Sequence, residues 1–94
     1  MSNDHPTFAM FQNRVGEMLH LKGEPDNLPV KLAEATLLSH SQREGGSFSL
    51  VLETDVEIEQ GSYQLQDEGG LDIIVFLVPI GPRGDAFGYE TIFN

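Results

Sequence analysis

The 94-residue chain contains no cysteine. It can form neither a disulfide framework nor a thiolate metal site, so its fold must be stabilised by packing. A domain of this length buries roughly 60–65% of the surface of its unfolded chain, which is enough for one modest core. The sequence therefore predicts a single domain, and the lack of cysteine fits a reducing compartment.

The chain also lacks a long apolar run. No stretch approaches the roughly 20 apolar residues that a membrane-spanning helix needs. The first residues, MSNDHPTFAMF, do not place a basic segment before an apolar one, as a signal peptide does. We therefore expect no signal peptide, and the cytoplasm is one predicted location.

Basic residues are scarce. Five Lys and Arg stand against 15 Asp and Glu, which gives a formal net charge of −10. Nucleic acids and anionic membrane surfaces both attract positively charged proteins, so this balance argues against either as a partner. It permits a basic protein or a cation as partner, without requiring one.

Catalytic patterns are also missing. The three histidines, His5, His20 and His40, have no HxH or Hx₃H spacing. Ser39, His40 and Ser41 are adjacent, but neighbours on a strand point to opposite faces, and there is no GxSxG motif. The sequence predicts neither an enzyme nor a bound cofactor.

The apolar pattern predicts a mainly β domain with one short N-terminal helix. Phe8, Phe11, Gln12 and Val15 follow a capping Thr7 at helical spacing, and Gly16 follows as the C′ residue. Alternating runs then predict six strands, a number typical of an antiparallel sandwich or barrel. These strands cover 17–22, 28–40, 47–53, 62–66, 71–78 and 87–93. We expect residues 1–6 to be flexible and 7–94 to form one β domain.

The second predicted strand breaks strict alternation. Val30 and Leu32 share one face, whereas Leu37 and Leu38 are consecutive, so we expect a bulge or bend within 33–35. The segment KLAEATLLSH has Ala and Leu in helix-favouring numbers, and a helix there stays an alternative. Leu32, Ala35, Thr36 and Ser39 would share one face of such a helix and do not form an apolar stripe, so a strand is favoured.

The organising feature is a predicted hairpin over 61–81, whose second strand, 71–78, is apolar on both faces. Pro79 is expected to end that strand. A strand with two apolar faces must be covered twice, so either the aromatic side of the helix or another chain covers the second face. The candidate interface residues are Phe8, Phe11, Ile74, Phe76, Val78, Tyr89 and Phe93.

Two further features have competing interpretations. Glu53, Asp55, Glu57 and Glu59 alternate in sequence with Thr54, Val56 and Ile58. On an extended strand their carboxylates would lie roughly 6.8 Å apart and could not converge on one calcium ion, whereas a loop could bring two of them together. A solvated edge that discourages aggregation is favoured over a cation site. The tripeptide Arg83-Gly84-Asp85 could mimic an adhesion ligand, but its residue types are those of an ordinary turn.

The aromatic residues Tyr63, Phe76, Phe87, Tyr89 and Phe93 could form a platform. Without interleaved Lys or Arg, stacking on nucleic acid is not expected, which leaves core packing or a protein interface.

Several segments together resemble a family of small bacterial domains of unknown function. They are LPVKLAE at 28–34, FSL at 48–50, QGSYQL at 60–65, FLVPIG at 76–81 and YETIFN at 89–94. The family pattern runs FSL, QGxYxL, FLVPxG and a terminal YEAVFN. Its genes commonly lie near genes for phage-tail-collar or microcystin-dependent-protein-like fibre proteins. The resemblance implies an assembly role beside such a fibre protein, and a location in a phage-tail-like particle as the alternative to the cytoplasm.

Two functions follow as expectations. The first is a non-enzymatic assembly or protein-binding module that binds a fibre-like protein or itself as a homo-oligomer. The alternative is a barrel that binds a small ligand or a divalent metal through the acidic and aromatic residues. An acidic mimic of a basic protein's ligand is a third.

Overall fold

A computed structural model describes residues 7–23, 26–38 and 47–93. The fold is mainly β, as predicted, with six strands and one helix. The predictions for residues 1–6, His40 and the loop 41–46 lie outside the described residues. The elements are α1 (Phe8–Gln12), β1 (Met18–Leu21), β2 (Leu28–Leu37), β3 (Phe48–Thr54), β4 (Gly61–Gln66), β5 (Asp72–Arg83) and β6 (Ala86–Phe93).

The six strands close into a barrel in the order β1-β2-β3-β6-β5-β4, and every neighbouring pair is antiparallel. The barrel is one of the two architectures that the sequence predicted. Closure leaves the barrel with a single enclosed core. β5 lies opposite β2 in this ring. The outer face of β5 and the strand that the helix contacts are therefore on opposite sides of the barrel.

The core consists of the side chains that point into the barrel, and on β1 and the first half of β5 these are every second residue. On β5 these residues are Ile73, Val75 and Leu77, and Leu71 just before the strand continues the pattern; none is more than 8% exposed. The same period buries Leu19 and Leu21 of β1, whereas β3 is buried at every position except Glu53. Full burial of one such side chain contributes about 1.5–3 kcal/mol relative to leaving it exposed, so the alternation determines which face points inward.

Helix α1 is shorter than predicted. It ends at Gln12, with Asn13 as its C-cap, and Val15 is exposed. Gly16 is therefore not the C′ residue; it occupies the turn before β1 with a φ of +99°, where its N–H donates to the Leu32 carbonyl.

The helix holds one aromatic side chain in the core. Phe11 is fully buried, with its ring centroid 5.9 Å from that of Phe48 and 6.5 Å from that of Phe93. A five-residue helix is too short to be stable alone, so this packing must stabilise it.

The bulge predicted in the second strand is confirmed. Leu32 pairs with Leu52 and Glu34 pairs with Val51, which leaves Ala33 as the extra residue. The segment is a strand as far as Leu37, so the helical alternative is wrong for its described residues.

β5 does not end at Pro79. It runs on to Arg83 beside β6, with a register shift between Pro79 and Gly81. β4 pairs with β5 only as far as Leu77, so in the described chain the part beyond Leu77 has one strand neighbour. Proline is tolerated at such an edge or bulge because no ladder hydrogen bond is lost there.

The β5–β6 hairpin has a two-residue loop, Gly84-Asp85. Gly84 has a φ of +65°, and two-residue hairpins need a positive φ at this position. The Arg83 Nε donates to Glu53 at 2.7 Å and its Nη2 donates to Glu34 at 2.6 Å. The arginine of the Arg-Gly-Asp tripeptide therefore folds back onto the barrel.

The acidic segment is not an extended strand. β3 ends at Thr54, and Glu53 is the only member of the predicted ladder that lies on it. The chain then runs irregularly to β4. The Ile58 N–H donates to the Tyr89 hydroxyl at 2.7 Å, and the Tyr63 hydroxyl donates to the Glu59 carbonyl. These two tyrosines fix the segment to the barrel, and Ile58 packs on the core.

Candidate protein-binding face

An apolar strip covers the outer face of β5 and the neighbouring part of β6. We call it the β5 strip and define it as Ile74, Phe76, Val78 and Ile80 of β5 with Ile92 of β6. Their exposed fractions run from 40% at Val78 to 64% at Ile74. Large apolar side chains exposed together on one sheet face are typical of interaction sites in soluble proteins.

The strand period explains why four of these residues share a face. The odd-numbered residues from Leu71 to Leu77 point into the barrel, so Ile74, Phe76 and Val78 must point outward. Ile80 joins them through the bulge: its Cγ1 lies 3.2 Å from where a Cβ on Gly88 would stand. Gly88 faces outward because its neighbours Phe87 and Tyr89 pack inward.

Helix α1 does not cover the β5 strip. Phe8 and Phe11 pack their rings against Phe48 instead, at centroid distances of 6.1 and 5.9 Å, and the helix contacts β2. β2 lies across the barrel from β5. Of the two covers considered for this strand, the helix is therefore wrong; cover by another chain stays a prediction.

The seven predicted interface residues divide by burial. Ile74, Phe76 and Val78 are exposed on the strip. Phe11 is 0% and Tyr89 2% exposed, so both belong to the interior of the chain and present no surface to a partner. Phe8 and Phe93 are partly buried against the core. The aromatic residues other than Phe76 pack on or within the core.

Two strip residues, Ile80 and Ile92, were missed from the sequence. Ile80 follows Pro79, where the strand was expected to stop. Ile92 alternates with Thr91 and Phe93, and its outward position is visible in that alternation. The sequence could have shown this, because the odd-numbered residues of the last strand were expected on one face and Ile92 must then lie on the other.

Acidic groups border the β5 strip. Asp72 begins β5, and Glu90 pairs with Val78 across β5 and β6. Glu59 precedes β4, whose Gly61 pairs with Leu77. The strip therefore has carboxylates at its Asp72 end, along its β6 side and in the segment before β4, whereas the stem of the paired Arg83 lies near its Ile80 end.

The cations of the described chain lie elsewhere or are paired. Arg83 is bound by Glu34 and Glu53, and Arg14 by two carboxylates at the barrel end. Lys31 lies on β2, opposite β5, and Lys22 directly follows β1. No described cation is thus free beside the strip.

Arg83 crosses β6 over a glycine. A Cβ at Gly88 would lie 2.5 Å from the Arg83 Cδ and 3.0 Å from its Cγ, closer than real contacts allow. Glycine at this position lets the arginine stem lie flat against the sheet and reach the carboxylates of β3 and β2.

We expect Gly88→Ala to lower the midpoint of urea unfolding, because the new methyl displaces the Arg83 stem from its ion pairs. In an Arg83→Ala background the same substitution should cost distinctly less, and a double-mutant cycle measures this difference. Equal costs in the two backgrounds would show that the arginine does not depend on Gly88.

A second ion-pair group closes the barrel end near the β4–β5 turn. The Asp67 Oδ1 accepts from the N–H groups of Gly69 and Leu71, each at 2.8 Å, and its Oδ2 lies 2.7 Å from the Arg14 Nη2. Burial raises the pKa of the Asp67 carboxyl, but these donors together outweigh it and lower the pKa below its ordinary 3.8. Its ionised form therefore stabilises the fold.

We expect Asp67→Asn to lose a stabilisation that is present above the ordinary aspartate pKa and disappears as pH falls through the lower folded value. The amide keeps an acceptor for both backbone N–H groups but loses the charge. Urea unfolding at several pH values from about 6 to about 2 should show the wild-type advantage shrinking. An advantage that stays constant over this range would contradict the assignment.

The residues considered for metal binding do not converge. Among residues 7–23, 26–38 and 47–93, no group of three or more His, Asp or Glu is placed to hold an ion. His20 is half-buried on β1, Glu53 is paired with Arg83, and the other three ladder carboxylates are exposed along an irregular segment.

In the described part of the chain, no helix is long and apolar enough to cross a membrane.

These features define a small, closed, six-stranded antiparallel barrel with an exposed apolar strip on one side. The chain belongs to the family DUF6916, a domain of unknown function, whose sequence model matches residues 6–93. The expectation of a family of unknown function is thereby confirmed; the motif pattern and the link to fibre genes stay predictions. No curated protein and no solved structure matches the chain.

Proposed function

We propose that this domain is a non-enzymatic assembly module that binds a protein partner through the β5 strip. The observation that carries the proposal is the exposure of five large apolar side chains on one continuous sheet face. Exposing them to water is unfavourable, and a partner that covers them recovers that free energy.

The composition of the strip supports a protein partner. The cores of protein interfaces are depleted of charge and enriched in aromatic residues, and their rims are polar. The strip has Phe76 near its centre and carboxylates and amides around it. A standard interface buries about 800 Å² on each side, so the strip would supply the apolar core of the interface and its border the rest.

The resemblance described above points to a fibre-like structural protein as this partner, and to a phage-tail-like particle as the place of assembly. The support for this finer proposal is the family pattern alone. The β5 strip adds that such a partner would dock side-on against a sheet face.

The alternative of a small-ligand or metal-binding barrel draws no support from the described residues. The barrel interior is filled by side chains, and the acidic segment is spread along the surface.

Co-purification tests the proposal. The domain is co-expressed with the fibre-like protein encoded nearest to its gene, as wild type and as Ile74→Thr/Phe76→Thr. Threonine keeps the β propensity and the charge while removing apolar surface. Leu37→Thr is the matched control, because Leu37 is 57% exposed on β2, across the barrel.

We expect the fibre protein to be retained by the wild type and by Leu37→Thr, and at least about tenfold less by the double variant, as for the loss of a hot spot. Equal retention by all three proteins, or by none, would contradict the proposal.

A further inference from the structure

We infer that the partner of the β5 strip presents apolar side chains flanked by lysine or arginine. This inference rests on the proposed function and adds the charge of the partner surface to it. It follows from the distribution of charge around the strip and not from the apolar residues themselves.

The border of the strip is negative overall. Asp72 lies at one end, Glu90 along the β6 side, and Glu59 just before β4. At the other end the stem of Arg83 lies near Ile80 over Gly88, and its charge is compensated by Glu34 and Glu53. Docking an uncharged or acidic rim here would desolvate these carboxylates without compensation, which costs free energy. A basic rim would pair with them, and close charge pairs determine which partner is accepted.

The same charges disfavour a second copy of this chain as the occupant. Each copy carries a net charge of −10, so two strips brought face to face would repel through their borders. Arg83 does not relieve this repulsion, because its single positive charge is already compensated by Glu34 and Glu53. Added salt therefore distinguishes the two occupants. It weakens the binding of a basic partner, whereas it strengthens the association of two copies of this chain.

A synthetic amphipathic peptide of leucine and lysine, about four helical turns long, is the probe. Two further peptides separate its features: leucine with glutamate reverses the charge, and serine with lysine removes the apolar face. Each peptide is titrated by fluorescence anisotropy against wild type, Leu37→Thr and Ile74→Thr/Phe76→Thr. Circular dichroism is used to check that all three proteins are folded. All three proteins have the same charge, so non-specific attraction to an acidic protein affects them equally.

We expect the leucine–lysine peptide to bind the wild type and Leu37→Thr at least about tenfold more tightly than the double variant, as for the loss of a hot spot. Its affinity should fall by about tenfold or more between about 50 and 500 mM NaCl, as screening shortens the reach of the border charges. The serine–lysine peptide should not distinguish the three proteins, and the leucine–glutamate peptide should bind most weakly.

Absence of strip-dependent binding by the leucine–lysine peptide, or equally tight binding by its glutamate counterpart, would overturn the inference. So would sedimentation equilibrium showing a wild-type dimer that salt strengthens and Ile74→Thr/Phe76→Thr abolishes. The proposed function fails separately: it fails when the fibre protein is retained independently of the strip, whatever the peptides do.

Discussion

Val75→Asp is expected to prevent folding, whereas Phe76→Asp, one residue further along β5, should fold normally. Val75 is 1% exposed and surrounded by apolar core, so a carboxylate there would be buried without a partner. The effective penalty for such a group is several kcal/mol, comparable with the roughly 5–15 kcal/mol by which a domain is stable. Phe76 is 51% exposed, and a carboxylate at that position stays in water.

Far-UV circular dichroism and amide NMR spectra of the two variants provide the measurement. Both variants add the same charge to the same strand, so differences in net charge and strand propensity cancel. A folded Val75→Asp protein, or an unfolded Phe76→Asp protein, would mean that the inner and outer faces of β5 are wrongly assigned.

Phe11→Ala is expected to destabilise the domain by about 3–5 kcal/mol, the usual range for a phenylalanine lost from a core. The Phe11 ring is fully buried against the stacked rings of Phe48 and Phe93, and the short helix has no other fully buried residue. For a domain of this size, each kcal/mol lowers the melting temperature by roughly 4–8 °C, so a fall of about 12 °C or more should follow.

Phe76→Ala is the matched control for Phe11→Ala, since it removes the same atoms from an exposed position. Its cost should stay below about 1 kcal/mol, as for most surface substitutions. Chemical denaturation of both variants makes the comparison. Similar costs for the two would contradict the account of α1 as an element held by the core.

Local pattern was sufficient to predict most of the fold. Leu19 with Leu21, and Phe48 with Leu50, mark inner faces by alternation alone, and the consecutive Leu37 and Leu38 indicated the bulge that falls at Ala33. The sequence did not distinguish a barrel from a sandwich, because closure depends on β3 pairing with β6 and β1 with β4, which are distant in sequence. Pro79 was misleading because the effect of a proline in a strand depends on whether a neighbour needs its missing N–H.

The candidate face could be predicted only in part. On β5, alternation separates Ile74, Phe76 and Val78 from the core residues between them. It does not say which set faces inward, since both are apolar; the ring of strands decides that. Phe11 and Tyr89 were assigned to an interface because aromatic residues are common both in cores and at interfaces. Their burial emerges only from the tertiary structure.

Isoleucine methyl NMR of the domain bound to its fibre-like partner tests the central proposal most directly. Ile74, Ile80 and Ile92 lie on the β5 strip, whereas Ile58 and Ile73 are packed against the core and serve as internal controls. With the domain deuterated except at its isoleucine methyls and the protons of the partner saturated, we predict that cross-saturation attenuates the three strip methyls and leaves the two core methyls unchanged. Attenuation elsewhere in the domain, with Ile74, Ile80 and Ile92 unaffected, would contradict the account.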